Sequence, residues 1–421
     1  MSDVRQLFVN ASEVVTCAGP ARARRGAEQG DAAVRRGVAV AVDADGRIAA
    51  VADEHDLRAA HPTAALVDCA QGVLTPGFCD SHTHAIFGRA RYEEQEMRAA
   101  GIGYLEIARR GGGIHSSVRD LRQRSEDDLA ALAAARLRRI AAHGTTTLEV
   151  KSGYGLSVDS ELATLRVIRR LAAEVPLRLV PTFLGAHEVP LEYREAPRSR
   201  EDYIGLVTGE MIPAVAAQGL ARFCDIFCEP GVYTPDESRR ILGAARAAGL
   251  ALKLHADELE NGAAAELAAE LGATSADHLA AISEQGIAAL AAANTVATLL
   301  PGTMLFLGRP KQAPARALVA AGVPVALASD FNPGTSPTVN FPLVLTLGVS
   351  QLRLSVAEAF VAATVNGAAA LGLAGELGQL APGFHADLAL FAVQDHREIP
   401  YWYGDNRCLR TWVGGHPAHG G

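Results

Sequence analysis

Five of the thirteen histidines fall in or just beyond short β-rich runs: His82 and His84 in GFCDSHTH, His187 after LRLVPTFL, His255 in ALKLHADE and His278 in TSADHL. Asp330 closes PVALASD. His82 and His84 are two residues apart, and in an extended chain such residues point to one side, so both imidazoles can grip one ion. Adding His255 and Asp330 gives a nitrogen and oxygen donor set suited to zinc or iron, with a position left for water. One zinc or iron ion per chain is therefore expected. Glu258, three residues past His255, is placed to take a proton from an activated water and return it to a leaving nitrogen. His278, preceded by Asp277, is either a core histidine or an electrophile beside the ion; its place at a strand end favours the second.

Residues this far apart in sequence need a scaffold that gathers strand ends. Eight β-rich runs occur at 77–84, 145–152, 177–184, 222–229, 251–258, 274–279, 295–302 and 324–330, separated by Ala/Leu/Arg stretches of helical period. That alternation is the pattern of a closed parallel array, whose chemistry sits at the C-terminal strand ends. Leu129, Leu132, Leu137 and Ile140 define one helix face, with Gly144 as the stop. Thr234-Pro235-Asp236-Glu237 reads as a capping box opening another helix, which Gly249 closes. The interval 85–144 is longer than one crossover needs, and loops of that length are often lids. Its Gly111-Gly112-Gly113 run has no Lys-Ser/Thr after it and reads as a hinge or tight turn rather than a phosphate cradle. Outside the array, residues 37–52 form a hairpin around Asp45-Gly46, and 386–393 and 408–413 read as further strands. The fold class expected is α/β: a (β/α)8 TIM-like barrel over 77–370, with a small β-sandwich domain assembled from both chain ends, 1–76 and 371–421.

Composition narrows the function classes. The 421 residues are 49% hydrophobic and 20% charged with a net charge of -8, a globular balance without the basic footprint of a nucleic-acid binder. No apolar run is long enough to span a membrane. The first residues lack a signal-peptide layout, and cysteines 17, 69, 79, 224, 228 and 408 have no framework spacing, so a cytoplasmic setting is expected. Cys224 and Cys228 flank an apolar run and read as core packing.

The donor set resembles that of the amidohydrolase superfamily. The strings GGGI, EVKSGYGL, TFLGAHEVP, FCDIFCE, KLHADEL, SADHL and SDFNPGTSP resemble one family within it, the imidazolonepropionases, across nearly the whole chain. That resemblance implies a hydrolase of histidine degradation that opens the ring of 4-imidazolone-5-propanoate to N-formimidoyl-glutamate with one bound zinc or iron. It implies His82, His84, His255 and Asp330 as metal ligands. It also implies Arg91, Tyr154, His187, Glu258, Asn332, Gly334 and Thr335 as substrate contacts, with Tyr104 as an addition. A guanidinium such as Arg91 suits a carboxylate tail, since it can grip both oxygens. The expected partner is thus a small molecule with a carboxylate tail, and the family leads one to expect a homodimer. The sequence departs from the family pattern at Gln95, where phenylalanine is usual, at Phe384, where lysine is usual, and at GRAR (88–91), which lacks a common second glycine. Two neighbouring readings exist: a nucleobase or aminohydrolase deaminase, which has no need of Arg91, and a two-metal hydrolase bridged through Glu229 at the end of the fourth run. A catalytically inactive relative would have lost ligands, whereas every ligand position here is filled.

Overall fold

The computed structural model describes residues 3–103, 106–107 and 110–420. Eight parallel strands form one sheet: β1 (Phe78–Asp80), β2 (Thr145–Lys151), β3 (Arg178–Ala186), β4 (Phe223–Cys228), β5 (Ala251–Ala256), β6 (Ser275–His278), β7 (Val296–Leu299) and β8 (Val325–Leu327), paired in that order. Helices alternate with them on the outside, as a right-handed parallel crossover requires.

The seam between β8 and β1 closes beyond the regular strands. Thr83 forms a parallel bridge with Phe331. The Asp330 amide donates to the His82 carbonyl at 3.0 Å, and the His84 amide donates to the Phe331 carbonyl at 2.8 Å. Below them the Ser329 amide donates to Asp80 Oδ1 at 2.9 Å. His82 and His84 therefore lie past β1 rather than inside it, and the seam is what keeps that segment extended. The expected first run, 77–84, is regular only to Asp80 because β8 ends at Leu327 and offers no continuous ladder beyond it.

Local sequence explains the helices. Ser125 and Asp128 form a capping box at the start of Glu126–Ala141, whose buried face is Leu129, Ala133, Leu137 and Ile140. Leu132, expected on that face, is only half-buried. The i, i+4, i+8 row runs through Ala133, and Leu132 falls on its shoulder. Gly144 has φ +90°, and a Cβ there would meet the Phe391 ring at 2.9 Å, so the turn into β2 needs glycine twice over. Thr234 and Glu237 make the expected reciprocal cap on Pro235–Ala247, and Gly249 follows at φ +87°.

Segment 85–144 carries structure of its own, including the helices Tyr92–Ala99 and Ile114–Leu121. The triple glycine makes a tight turn there. Gly111 and Gly113 take φ +85° and +68°, and the Gly113 amide donates to Glu94 Oε1 at 2.7 Å just before Ile114 opens its helix.

Beside the barrel lie two further sheets. One orders Ile48–Asp53, Val38–Asp43, Val4–Val9 and Ala65–Asp68; the other orders His416–His419, Cys408–Val413, Leu388–Phe391, Val73–Pro76, Glu13–Val15 and Val34–Arg35. Both chain ends thus contribute to the six-stranded sheet. Phe8, Val40, Leu74, Leu388 and Trp412 fill a shared core, where the Phe8 and Trp412 rings meet edge-on at 5.0 Å. The N-terminal segment also reaches the barrel: the Gln29 side chain donates to the Val323 carbonyl and accepts from the Val325 amide, an edge-like contact to β8. Among the described residues no helix is long and apolar enough to cross a membrane.

Candidate active site

The C-terminal strand ends converge on a buried cluster of imidazoles. Donor atoms of His82, His84 and Asp330 lie within 4.8 Å of one another, and so do those of His82, His255 and His278 and those of His84, His187 and His255. The carboxylates beside two of the rings show which ring nitrogens face inward. His82 Nδ1 sits 2.6 Å from Asp277 Oδ2, and His255 Nδ1 sits 2.9 Å from Asp225 Oδ2. In each ring a carboxylate beside Nδ1 leaves Nε2 directed away from it, toward the other donors. His255 Nε2 lies 3.4 Å from His84 Nε2. His82 Nε2 has no hydrogen-bond partner and lies 3.5 Å from Asp330 Oδ1, which is also 3.6 Å from His84 Nε2. Lone pairs converging away from water repel one another unless a cation sits among them. His82, His84, His255 and Asp330 accordingly fit a divalent ion, with imidazole and carboxylate chemistry that suits zinc or iron.

Burial supports the same protonation state. It holds the His82, His84 and His278 rings well below the usual imidazole range, with neighbouring positive charge adding to the effect, so they are neutral donors. Burial raises Asp330 to about 6, against the lowering effect of Thr303, whose Oγ1 donates to Asp330 Oδ2 at 2.6 Å.

Beneath this cluster lies a buried ionic layer that sequence reasoning missed. Lys151 Nζ donates to Asp225 Oδ2 at 2.6 Å and lies 2.8 Å from Glu149 Oε2. Lys253 Nζ donates to Glu149 Oε2 at 2.9 Å and to the Ser81 carbonyl at 2.7 Å. Both ammonium groups approach Asp277 Oδ2, at 3.7 and 3.5 Å. Burial disfavours a charge on Lys151, but Asp225, Glu149 and Asp277 outweigh it and raise its pKa. Charges this deep persist only when paired, and here the pairing fixes the two carboxylates that orient His255 and His82. A signal was present: Glu149, Lys151, Asp225 and Lys253 interrupt strands that otherwise read as apolar, and a charge at such a strand position has to face a partner inside the barrel.

Above the cluster opens a cavity of about 330 Å³. Glu258, His278, Tyr154 and His187 line it, together with Asn332 and Thr335. Glu258 Oε2 lies 3.7 Å from His278 Nε2. Burial raises the Glu258 carboxyl well above its ordinary range, and Asp330 and Glu229 reinforce the shift. The loop that carries it is held by Glu229, whose carboxylate accepts the amides of Glu258, Leu259 and Glu260 at 2.9, 3.0 and 2.7 Å. Glu229 is thus committed to the backbone and is not placed as a bridge between two metals. Asp257, His278, Leu279 and Asp330 all have positive φ, between +49° and +80°. Such strain in residues other than glycine concentrates at sites where the surroundings over-determine the backbone.

The remaining expected residues take distinct places. His187 Nδ1 lies 3.0 Å from the Gly153 carbonyl, and its ring stacks on that of His84 at 5.1 Å. Arg91 is buried on the cavity wall; its amide donates to the Pro333 carbonyl at 2.8 Å. Asn332 organises its own turn, with Nδ2 donating to the Asp330 carbonyl at 2.7 Å and Oδ1 accepting the Gly334 and Thr335 amides. Gly334 acts by being small: a Cβ there would sit 1.8 Å from Arg91 Nη2. Tyr104 lies outside the described residues. Cys224 and Cys228 are buried in the core away from this chemistry, and burial pushes the Cys228 thiol up to about 11.

Comparison with known proteins agrees at two levels. The model of the amidohydrolase family matches residues 91–419. An adenosine deaminase from Xanthomonas campestris with bound zinc shares the fold, with a TM-score of 0.73 over 99% of this chain and 93% of that one at 18% identity. A guanine deaminase from C. acetobutylicum does so at a TM-score of 0.67 over 98% and 99% of the two chains, at 16% identity. The class is therefore that of the amidohydrolases, a metal-dependent barrel flanked by sheets. At the sequence level, the imidazolonepropionase of Symbiobacterium thermophilum is 48% identical over 96% of this chain and 95% of its own length. That of Myxococcus xanthus is 47% identical over 96% and 94%, and that of Geobacillus kaustophilus 44% over 98% and 97%. The chain belongs to the imidazolonepropionase family.

Proposed function

We propose that this protein hydrolyses 4-imidazolone-5-propanoate to N-formimidoyl-glutamate, one step of histidine degradation, with one zinc or iron ion held by His82, His84, His255 and Asp330. The observation that carries the reading is a single cavity with a converging imidazole and carboxylate donor set at its floor and the buried guanidinium of Arg91 in its wall. A deaminase of a neutral base has no use for that guanidinium. When bound, the ion supplies Lewis acidity and lowers the pKa of a water to about 7 in favourable sites.

The chain's own residues do the rest. Arg91 binds the propanoate and fixes the ring over the floor of the cavity. Water adds its oxygen to the ring carbonyl carbon, the adjoining C–N bond breaks, and the former carbonyl becomes the new carboxylate. Glu258 takes the proton released by water and delivers it to the departing ring nitrogen, so proton and electron pair both end on nitrogen. Neutral His278, 3.7 Å from Glu258, polarises the carbonyl oxygen as charge builds on it. Tyr154 and His187 wall the ring. The setting proposed is the cytoplasm, where six buried, unpaired thiols stay reduced. Elemental analysis of the purified protein, coupled to a ring-opening assay on freshly generated imidazolone propanoate, tests the proposal. About one ion per chain together with turnover is expected; full metal content without turnover of this substrate would overturn it.

A further inference from the structure

The helix Tyr92–Ala99 presents charge, not apolar surface, to the interior. Glu94 and Arg98 are spaced i and i+4, which places them on one face, and Arg91 precedes the helix as its N-cap residue. The side chains of Arg91, Glu94 and Arg98 are only 6%, 8% and 15% exposed. Glu94 Oε1 lies 3.4 Å from Arg91 Nε, and its Oε2 lies 3.6 Å from Arg98 Nη1. The same Oε1 accepts the Gly113 amide, so Glu94 is anchored from the far side by the glycine turn. Arg98 Nη2 donates to the Gly334 carbonyl at 3.0 Å, and its guanidinium lies 5.5 Å over the Phe306 ring. Both arginines line the cavity, whereas Glu94 stands behind them.

Two guanidinium groups and one carboxylate leave this buried trio with a net charge of about +1, and a low-dielectric site favours a ligand that balances it. We infer that Arg98 is a second contact for the substrate carboxylate, and that Glu94 is a positioning residue that lowers the positive charge of this face of the cavity, which Arg309 also lines, so that one negative charge is preferred to two. The inference rests on the reading that a carboxylate-tailed substrate occupies this cavity. Glu94 would hold Arg91 from the Nε side while Nη1 donates to Ser117 Oγ at 3.3 Å, and would remove positive charge that would otherwise draw a dianion.

The test compares two competitive inhibitors of the metal-loaded enzyme: 3-(imidazol-4-yl)propanoate and its phosphonate counterpart, which carries nearly two charges. Wild type is expected to bind the carboxylate more tightly. Glu94→Gln should shift the ratio of the two inhibition constants about tenfold toward the phosphonate, while Glu94→Asp, which keeps the charge, should hold the wild-type ratio. Arg98→Met should raise KM about tenfold with the loss falling on KM rather than kcat. If Glu94→Gln weakens both inhibitors equally, Glu94 is only a packing residue and the inference fails. If Arg98→Met leaves KM unchanged, the second contact fails. Should calorimetric titration of wild type with the same two compounds show the charge preference while imidazolone propanoate is not turned over, the proposed function falls and the anion site stands.

Discussion

The floor and the wall of the cavity are built on opposite principles. The floor hangs on strand ends: His255 and His278 belong to β5 and β6, and Lys151, Asp225, Lys253 and Asp277 interlock inside the barrel with no exposure to water. Sheet register fixes those positions, and a charged layer with every member paired resists displacement. The wall hangs on connections. Arg91, Glu94 and Arg98 lie in a crossover segment held to the β8 loop by two backbone carbonyls, those of Pro333 and Gly334. Chemistry common to a superfamily belongs on the part that cannot move, and recognition of one substrate belongs on the part that can vary without unfolding the sheet.

Breaking the floor should produce the largest effect. His255→Ala removes the ring at the centre of the donor set, so bound metal should fall to a trace and turnover with it; full occupancy by elemental analysis would refute the ligand assignment. Glu258→Gln keeps shape and metal but stops proton traffic, and kcat should drop about a thousandfold. The same variant gives a pH signature. Glu258 serves as base only when ionised, and its carboxyl lies well above its ordinary range. In wild type kcat/KM should therefore rise with pH through a limb above the normal carboxylate range, and that limb should vanish in the variant. If another group carried the proton, the variant would keep more than a tenth of wild-type kcat and the limb would survive.

Breaking the wall should discriminate between substrates instead. Arg91→Met should lower kcat/KM by roughly tenfold to a few hundredfold, the loss of about 1.5 to 3 kcal/mol from one charge-assisted bond. An analogue without the carboxylate should react almost equally with both proteins, and an equal loss on that analogue would make Arg91 structural. Between floor and wall in kind, Asp277→Asn takes the charge from behind His82 and should weaken metal affinity about 10 to 100-fold in a chelator competition. The smallest effect lies far from the cavity: Thr234→Ala breaks the reciprocal cap on Pro235–Ala247 and should cost about 1 kcal/mol in denaturant unfolding, with kcat untouched.

Sequence alone was enough for the eight-stranded count, the Thr234 capping box, the Asp45-Gly46 hairpin and the list of residues that meet at the strand ends. Each of these follows from short-range rules: period, turn chemistry and the location of chemistry at one end of a parallel barrel. Leu132 was misplaced because a period of 3.6 leaves neighbouring positions nearly equivalent until a partner surface chooses between them, and Ala133 was chosen. Tertiary structure alone decided the rest. The His82 and His84 segment is held extended by its bridge to Phe331, 248 residues from Thr83, rather than by its own strand. Glu229 turned out to be the clamp of the Glu258 loop, and Glu94 the carboxylate behind two arginines. A side chain's type states what it can do; which atoms it meets depends on contacts between residues distant in the chain, and these exist only once the sheet has closed.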